Sequence, residues 1–288
     1  MSDHHSSVPS YSDSGIKQPY HLVNPSPWPM LAAFAAGLMA IGMVLFMHKI
    51  EWHGLPIGHK GLYGGLALVI AFAWFWWRDI VKEAVIERAH SAVTKIGFRY
   101  GMALFIASEV MFFFAFFWAF FSSSLFPVES IGFVWPPKGQ HVIDPFDLPF
   151  MMTIILLLSG TSVTWAHYAI LEGKTKEAAT ALGYTVLLGM LFTGFQVYEY
   201  FHAPFGFKDG IFASTFYMAT GFHGFHVLIG TIFLAVCYFR TKKGHFTPDS
   251  HFGFEAAAWY WHFVDVVWLF LFVSIYWWGG AGGVVVAH

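Results

Sequence analysis

Apolar residues in this chain run in long unbroken blocks. At ~1.5 Å per residue, a ~30 Å hydrocarbon layer takes about 20 residues of helix. Seven runs of that order occur, at approximately residues 28 to 47, 61 to 77, 97 to 126, 150 to 171, 178 to 202, 211 to 239 and 252 to 278. The pattern predicts an all-α membrane protein of seven transmembrane helices. The second run is short and opens with glycines, yet it ends in WFWWRD, residues 74 to 79, where rings give way at once to charge, as at a membrane interface. The third is about 30 residues, or ~45 Å of helix, so it tilts or projects from the bilayer.

Composition agrees with this picture. The 288 residues are 57% hydrophobic, 20% aromatic and 11% charged, and the mean hydropathy is +0.58; soluble domains carry about 25% charged residues. The net charge of −2 comes with no basic cluster of the size that tracks phosphates along a nucleic acid. A single cysteine, Cys237, excludes an internal disulfide framework and an all-cysteine metal site. Residues 1–27 are polar, with no apolar core and no Arg-rich pattern, and read as a solvated tail.

Lys and Arg divide unevenly between the connections. The N-terminal tail and the loops after spans two, four and six carry eleven, namely Lys17; Arg78, Lys82, Arg88, Lys95 and Arg99; Lys174 and Lys176; and Arg240, Lys242 and Lys243. The other side has four, Lys49, Lys60, Lys138 and Lys208. This bias puts the N-terminus on the cytoplasmic or matrix side and, with an odd number of spans, the C-terminus on the opposite side. The 78–96 connection is the longest on the inner side, with six acidic or basic residues from Arg78 to Arg88. It reads as a hinge between a two-helix hairpin, residues 28–77, and a five-helix bundle, residues 97–288.

No Lys or Arg falls in the middle of a run. That excludes a retinal protein, which needs a mid-membrane Schiff-base lysine, and a voltage sensor, which needs a ladder of arginines. The runs do contain Glu109, His167, Glu199, His223, His226, His262 and Asp265, and ionisable groups at membrane depth are costly enough to be functional candidates. Glu109 stands in FIASEVMFFFAFFWAFF, residues 105 to 121, which holds nine aromatic rings. Its neighbours at three and four removes are Phe105, Ile106, Phe112 and Phe113. Without a partner on another helix, desolvation keeps such a carboxyl neutral; it serves helix packing, proton exchange, or contact with lipid or a neighbouring chain. His223 and His226 share one face of span six, beside glycines that permit close backbone approach. A metal site there needs a third ligand and an outer shell of hydrogen bonds, and none stands at metal spacing, so the residues offer either that site or hydrogen bonds across helices. In span seven Glu255, His262 and Asp265 fall on one stripe, which must face protein; with His223 and His226 it forms a candidate buried polar network, static or proton-conducting.

FRYGMALFIASEVMFFFAFFWAFF (98 to 121), LLLSGTSVTWAHYAI (156 to 170), FYMATGFHGFHVLIGTIFL (216 to 234) and HFGFEAAAWYWHFVDVVWLFLFVSIYWW (251 to 278) resemble subunit III of the aa3-type cytochrome c oxidases. The resemblance extends over essentially residues 28 to 278. It implies seven helices split two plus five by a lipid-filled cleft, and a chain without a redox centre of its own. Haem a and copper then belong to the partner subunits I and II, with cytochrome c and oxygen as substrates of the complex. It also implies that Glu109 is the membrane carboxyl of an SEV motif facing the cleft. Trp77, His90, Arg99 and Arg240 are then residues that meet phospholipid. The chain departs from the family pattern at IERAHSAVTK, residues 86 to 95, where a His-Thr-Pro sequence is expected beside His90.

The reading is therefore an accessory oxidase subunit that binds phospholipid and supports the catalytic subunit and its proton uptake, in a bacterial inner membrane or the mitochondrial equivalent. Two other classes stand beside it: a polytopic haem or metal oxidoreductase using His223, His226 and His262, and a stand-alone proton-coupled transporter using Glu109 and Asp265.

Overall fold

The computed structural model describes residues 10–11, 17–18, 25–50, 57–87 and 89–286. Most of the tail expected over residues 1–27, and Arg88 of the charged connection, lie outside the described residues. Among the described residues, seven helices are long and apolar enough to cross a membrane: α1 (Trp28–Met47), α2 (Ile57–Val85), α3 (Ala92–Leu125), α4 (Leu148–Leu171), α5 (Thr175–His202), α6 (Ile211–Lys242) and α7 (Phe252–Leu271), the last continued by a π-helical turn over Phe272–Trp278. Two compact units divide the chain, Met1–Gly97 and Phe98–His288.

In the first unit α1 and α2 pack against each other. Their crossing is set by glycine: a Cβ on Gly42 would run into the backbone of Gly61 and Leu62, so the helices meet main chain to main chain. Near the other end of α1 the Trp28 indole donates to Asp79 Oδ2 at 2.7 Å and stacks on Phe75 with centroids 5.9 Å apart. The loop expected over 78–96 is largely helical. Helix α2 continues through Arg78, Asp79, Lys82 and Glu83 to Val85, and α3 starts at Ala92, which leaves a connection of residues 86–91 only. Charge ends the hydrocarbon, but it does not end a helix. The stretch RDIVKEAVIE (78 to 87) contains no Gly or Pro and is rich in helix formers.

The second unit is built around α7. Thirteen of its residues are buried, more than on α3 or α5, and α6 and α4 both pack on it. Trp261 and Trp268 are fully buried, and their indole N–H groups donate to Ser159 Oγ at 2.8 Å and Thr153 Oγ1 at 2.9 Å, both on α4. The Trp261 ring also fills the space that side chains would need at Gly189 of α5 and Gly230 of α6. One indole thus touches three other helices.

Helix α3 joins this core by a stripe, Phe113, Phe117, Phe120 and Ser124, at spacings of three and four. Phe113 meets Phe263, Phe117 meets Phe270 and Phe120 meets Trp278, with centroids 5.9, 4.5 and 6.2 Å apart. Phe105, Phe114 and Trp118 of the same segment are exposed. The ring-rich run therefore serves two surfaces, one packed on protein and one left for lipid or another chain. Between α3 and α4, a short strand β1 (His141–Ile143) pairs in parallel with β2 (Val284–Val286), and Trp135 donates to the Gly279 carbonyl at 3.0 Å. These bonds tie the C-terminal end of the chain to the α3–α4 connection.

The glycine crossing predicts a contrast between two positions on α1. Gly42→Leu should cost about 1–3 kcal/mol through forced separation of the helices, whereas Gly37→Leu, with nothing within 4 Å of its Cβ, should cost nothing measurable. Thermal dissociation of the hairpin from purified variants checks it, and equal loss at both sites contradicts the crossing.

Candidate functional site

The residues expected to form the polar network, with Glu109, fall into four arrangements in the second unit. The first answers the question posed by Glu109. Its Oε2 lies 3.0 Å from His226 Nε2 on α6, 117 residues along the chain. The other ring nitrogen, His226 Nδ1, is 2.7 Å from the Phe222 carbonyl and can only donate there. Nε2 and Oε2 therefore share one proton, held either as a carboxylic acid donating to neutral imidazole or as imidazolium donating to carboxylate. Both forms are neutral as a pair, which is what a low-dielectric site tolerates. Phe112, Phe113, Tyr260 and Phe263 surround the imidazole. Glu109 remains 21% exposed at its side chain, against 9% for His226, so the carboxyl is the accessible partner.

The second arrangement lies where α3, α4 and the start of α7 meet. Arg99 grips Glu255 with two parallel bonds, Nε to Oε2 and Nη2 to Oε1, each 2.9 Å. His251, the residue before α7, stands 3.3 Å from Glu255 Oε1 through Nε2 and donates from Nδ1 to the Thr247 carbonyl at 2.9 Å. His167 of α4 faces His251 with centroids 5.5 Å apart. Two N–H groups of Arg99, which the resemblance makes a residue that meets phospholipid, are thus already engaged by Glu255, although the side chain stays 52% exposed.

Arg240, in the last turn of α6, differs from Arg99. Its guanidinium lies 4.4 Å from the centre of the Phe246 ring, its Nε is buried without a hydrogen bond, and among the described residues no carboxylate is within ion-pair distance. His245 in the α6–α7 connection offers it no negative charge. Burial, then the positive charges of Arg240 and Lys243, holds that imidazole below its ordinary range, so it stays neutral.

The third arrangement joins α7 to α4: His262 Nδ1 is 3.6 Å from Asp265 Oδ2, and His262 Nε2 is 3.3 Å from Thr164 Oγ1. His262 is nearly half exposed and Asp265 buried. The fourth is His223 Nε2, which donates to the Val264 carbonyl of α7 at 3.1 Å. The five residues expected as one network, His223, His226, Glu255, His262 and Asp265, are therefore dispersed among all four arrangements. Positions seven apart on a helix share a stripe but stand ~10 Å apart along its axis, so Glu255 and the His262–Asp265 pair meet different neighbours, Arg99 of α3 and Thr164 of α4. His223 and His226 also part company, one toward α7 and the other toward α3, so they do not converge on one ion.

Trp77, on α2, is exposed, and His90 is partly buried in the 86–91 connection; both belong to the first unit. Sequence reasoning passed over His251, although its spacing of four from Glu255 marked the two as neighbours. It also left Glu199 unassigned. That carboxyl is fully buried and accepts from Tyr276 Oη at 2.7 Å and Gln196 Nε2 at 3.1 Å. Gln196 at i−3 was a visible signal; Tyr276, 77 residues away, was not.

These features define a polytopic membrane protein whose intramembrane polar groups join helices to one another and whose helix ends carry the free cationic charge. The family model described as cytochrome c oxidase subunit III matches residues 18–280. A cytochrome c oxidase subunit 3 from Prototheca wickerhamii is 59% identical over 265 residues, which covers 92% of this chain and 99% of the relative. Those from Marchantia polymorpha and Scyliorhinus canicula are 58% and 54% identical, over 92% and 91% of this chain and 98% and 97% of their own lengths. The chain belongs to the cytochrome c oxidase subunit III family, the non-redox accessory subunit of an oxidoreductase complex.

If Glu109 and His226 share one proton, Glu109→Gln keeps a donor toward Nε2 and should leave thermal stability of the assembled oxidase within about 0.5 kcal/mol. Glu109→Ala leaves His226 Nε2 unpaired in an aromatic pocket and should cost about 1–3 kcal/mol. Equal melting of the two variants would argue against the pairing.

Proposed function

We propose that within the oxidase this chain holds phospholipid beside the catalytic subunit and keeps proton uptake at the inner surface fast. Arg240 carries the reading. A guanidinium stacked on a ring at a helix end, with an unsatisfied Nε and no carboxylate among the described residues, is suited to a phosphate ester, which accepts such a group bidentately. The exposed rings of Phe105, Phe114 and Trp118 are suited to acyl chains in the same way. Glu109 then acts as a membrane carboxyl beside lipid, and Trp77, His90 and Arg99 as further lipid-facing residues.

The proposal gives haem a and copper to the partner subunits I and II, with cytochrome c and oxygen as substrates of the complex. The eleven-to-four excess of Lys and Arg supports an N-terminus on the cytoplasmic side of a bacterial inner membrane and a C-terminus on the periplasmic side, or the corresponding sides of the mitochondrial inner membrane.

The test is the phospholipid that stays with the purified oxidase, counted by mass spectrometry. Arg240→Ala removes an interaction of about 1–3 kcal/mol and should deplete tightly held phospholipid. Arg99→Ala is a poorer probe, because it also strands Glu255. Unchanged phospholipid content in Arg240→Ala would overturn the assignment.

A further inference from the structure

Glu199 lies fully buried in the last turn of α5, and two donors converge on one of its oxygens. Tyr276 Oη donates to Oε1 at 2.7 Å, and Gln196 Nε2 donates to the same atom at 3.1 Å. The second oxygen, Oε2, is buried and has no hydrogen-bond partner among the described residues, and the amide oxygen of Gln196 is buried and unpartnered in the same way. We infer that Glu199 carries a resident proton on Oε2 and donates it to Gln196 Oε1, so that acid and amide close a reciprocal pair of hydrogen bonds inside the bundle.

The donor count leads to this pairing. The two orphaned atoms belong to side chains that already share one bond, three residues apart on one helical face. A carboxylate offers only acceptors, and so does an amide oxygen, so ionised Glu199 would leave two buried acceptors with no donor between them, which is costly. The neutral acid supplies the one donor that is missing. Oε1 is then the carbonyl oxygen, with its two lone pairs filled by Tyr276 and Gln196, and Oε2 is the hydroxyl.

The surroundings offer no charge to favour the ionised form. Among the described residues no Lys, Arg or His acts on this carboxyl. The ionisable groups that face it are phenols, Tyr200 on α5, Tyr217 on α6 and Tyr276 in the π-helical turn. Phenols are uncharged near neutral pH, and Tyr200 and Tyr217 are held by Thr220 Oγ1 and the Phe205 carbonyl at 2.8 Å each. A lone carboxylate buried among such groups is far costlier than the acid. Glu109 differs, because its imidazole partner can take the proton; an amide and a phenol cannot. Glu199 is thus a fixed acid and not a relay. Its use is local: Tyr276 sits in the turn over Phe272–Trp278, a form of helix that is rare and tends to be kept where it aims a particular side chain. The hydroxyl so placed ties the end of α7 to the end of α5 with no net charge.

Infrared spectroscopy of the intact oxidase tests this. A protonated carboxyl has a carbonyl stretch above the amide I band, and a carboxylate has none there. The difference between wild type and Glu199→Gln should contain one such band, equally strong at mildly acidic and mildly alkaline pH. Tyr276→Phe should move that band to higher frequency, because one of two donors to the carbonyl oxygen is gone. Melting of the oxidase gives an independent reading. Glu199→Gln keeps a donor and an acceptor toward Gln196 and should melt with the wild type, whereas Glu199→Ala should melt several degrees lower. A carboxylate band in the difference spectrum, a carbonyl band that fades as pH rises, an unshifted band in Tyr276→Phe, or Glu199→Gln melting as low as Glu199→Ala overturns the inference.

Discussion

In hydrocarbon a polar atom without a partner has no water to turn to, and α7 meets that constraint for most of the second unit. Its two buried indoles donate to Ser159 and Thr153 on α4, its Val264 carbonyl receives His223 of α6, and its Glu255 receives Arg99 of α3. Each bond fixes the rotation of a neighbouring helix as well as its distance, because only one face of that helix carries the matching group. Glycines on α5 and α6 then let the backbones close on Trp261. Shape and polarity thus specify the same arrangement, and a shift of one helix by a turn would break both.

The Glu109–His226 pair follows the same rule on a surface that is less covered. A carboxyl alone at that depth would be held neutral by desolvation; the imidazole opposite lets the pair remain neutral with the proton on either partner. This gives an accessory subunit a polar contact between α3 and α6 at no cost in net charge. The cationic groups that must meet phosphate or solvent lie at the helix ends instead, where Arg240 keeps a guanidinium stacked and uncommitted.

The spans were legible in the sequence because hydropathy over about 20 residues is a local property. For α1 even the limits agree, Trp28 to Met47, since prolines and charge bracket the apolar run. The end of α2 was misread because charge was taken as a loop signal where only the membrane boundary changes. Side-chain partners were legible only at helical spacing, as for Gln196 and Glu199. Glu109 with His226, Arg99 with Glu255 and Trp261 with Ser159 are joined across 117, 156 and 102 residues, and no periodicity encodes such pairs. Burial of the tryptophans was likewise invisible: Trp259 and Trp261 are two residues apart, one exposed and one fully buried, and only the helices around them decide which.

On the proposed function, the ionisable groups inside this bundle hold helices and lipid in place and take no part in the redox chemistry of the complex. Oxygen consumption and proton release by vesicles containing oxidase with Glu109→Gln test it most directly. Electron transfer should stay close to that of the wild type, because Gln keeps the volume and the hydrogen bond to His226; abolished oxygen reduction in a fully assembled complex would show instead that the carboxyl is catalytic.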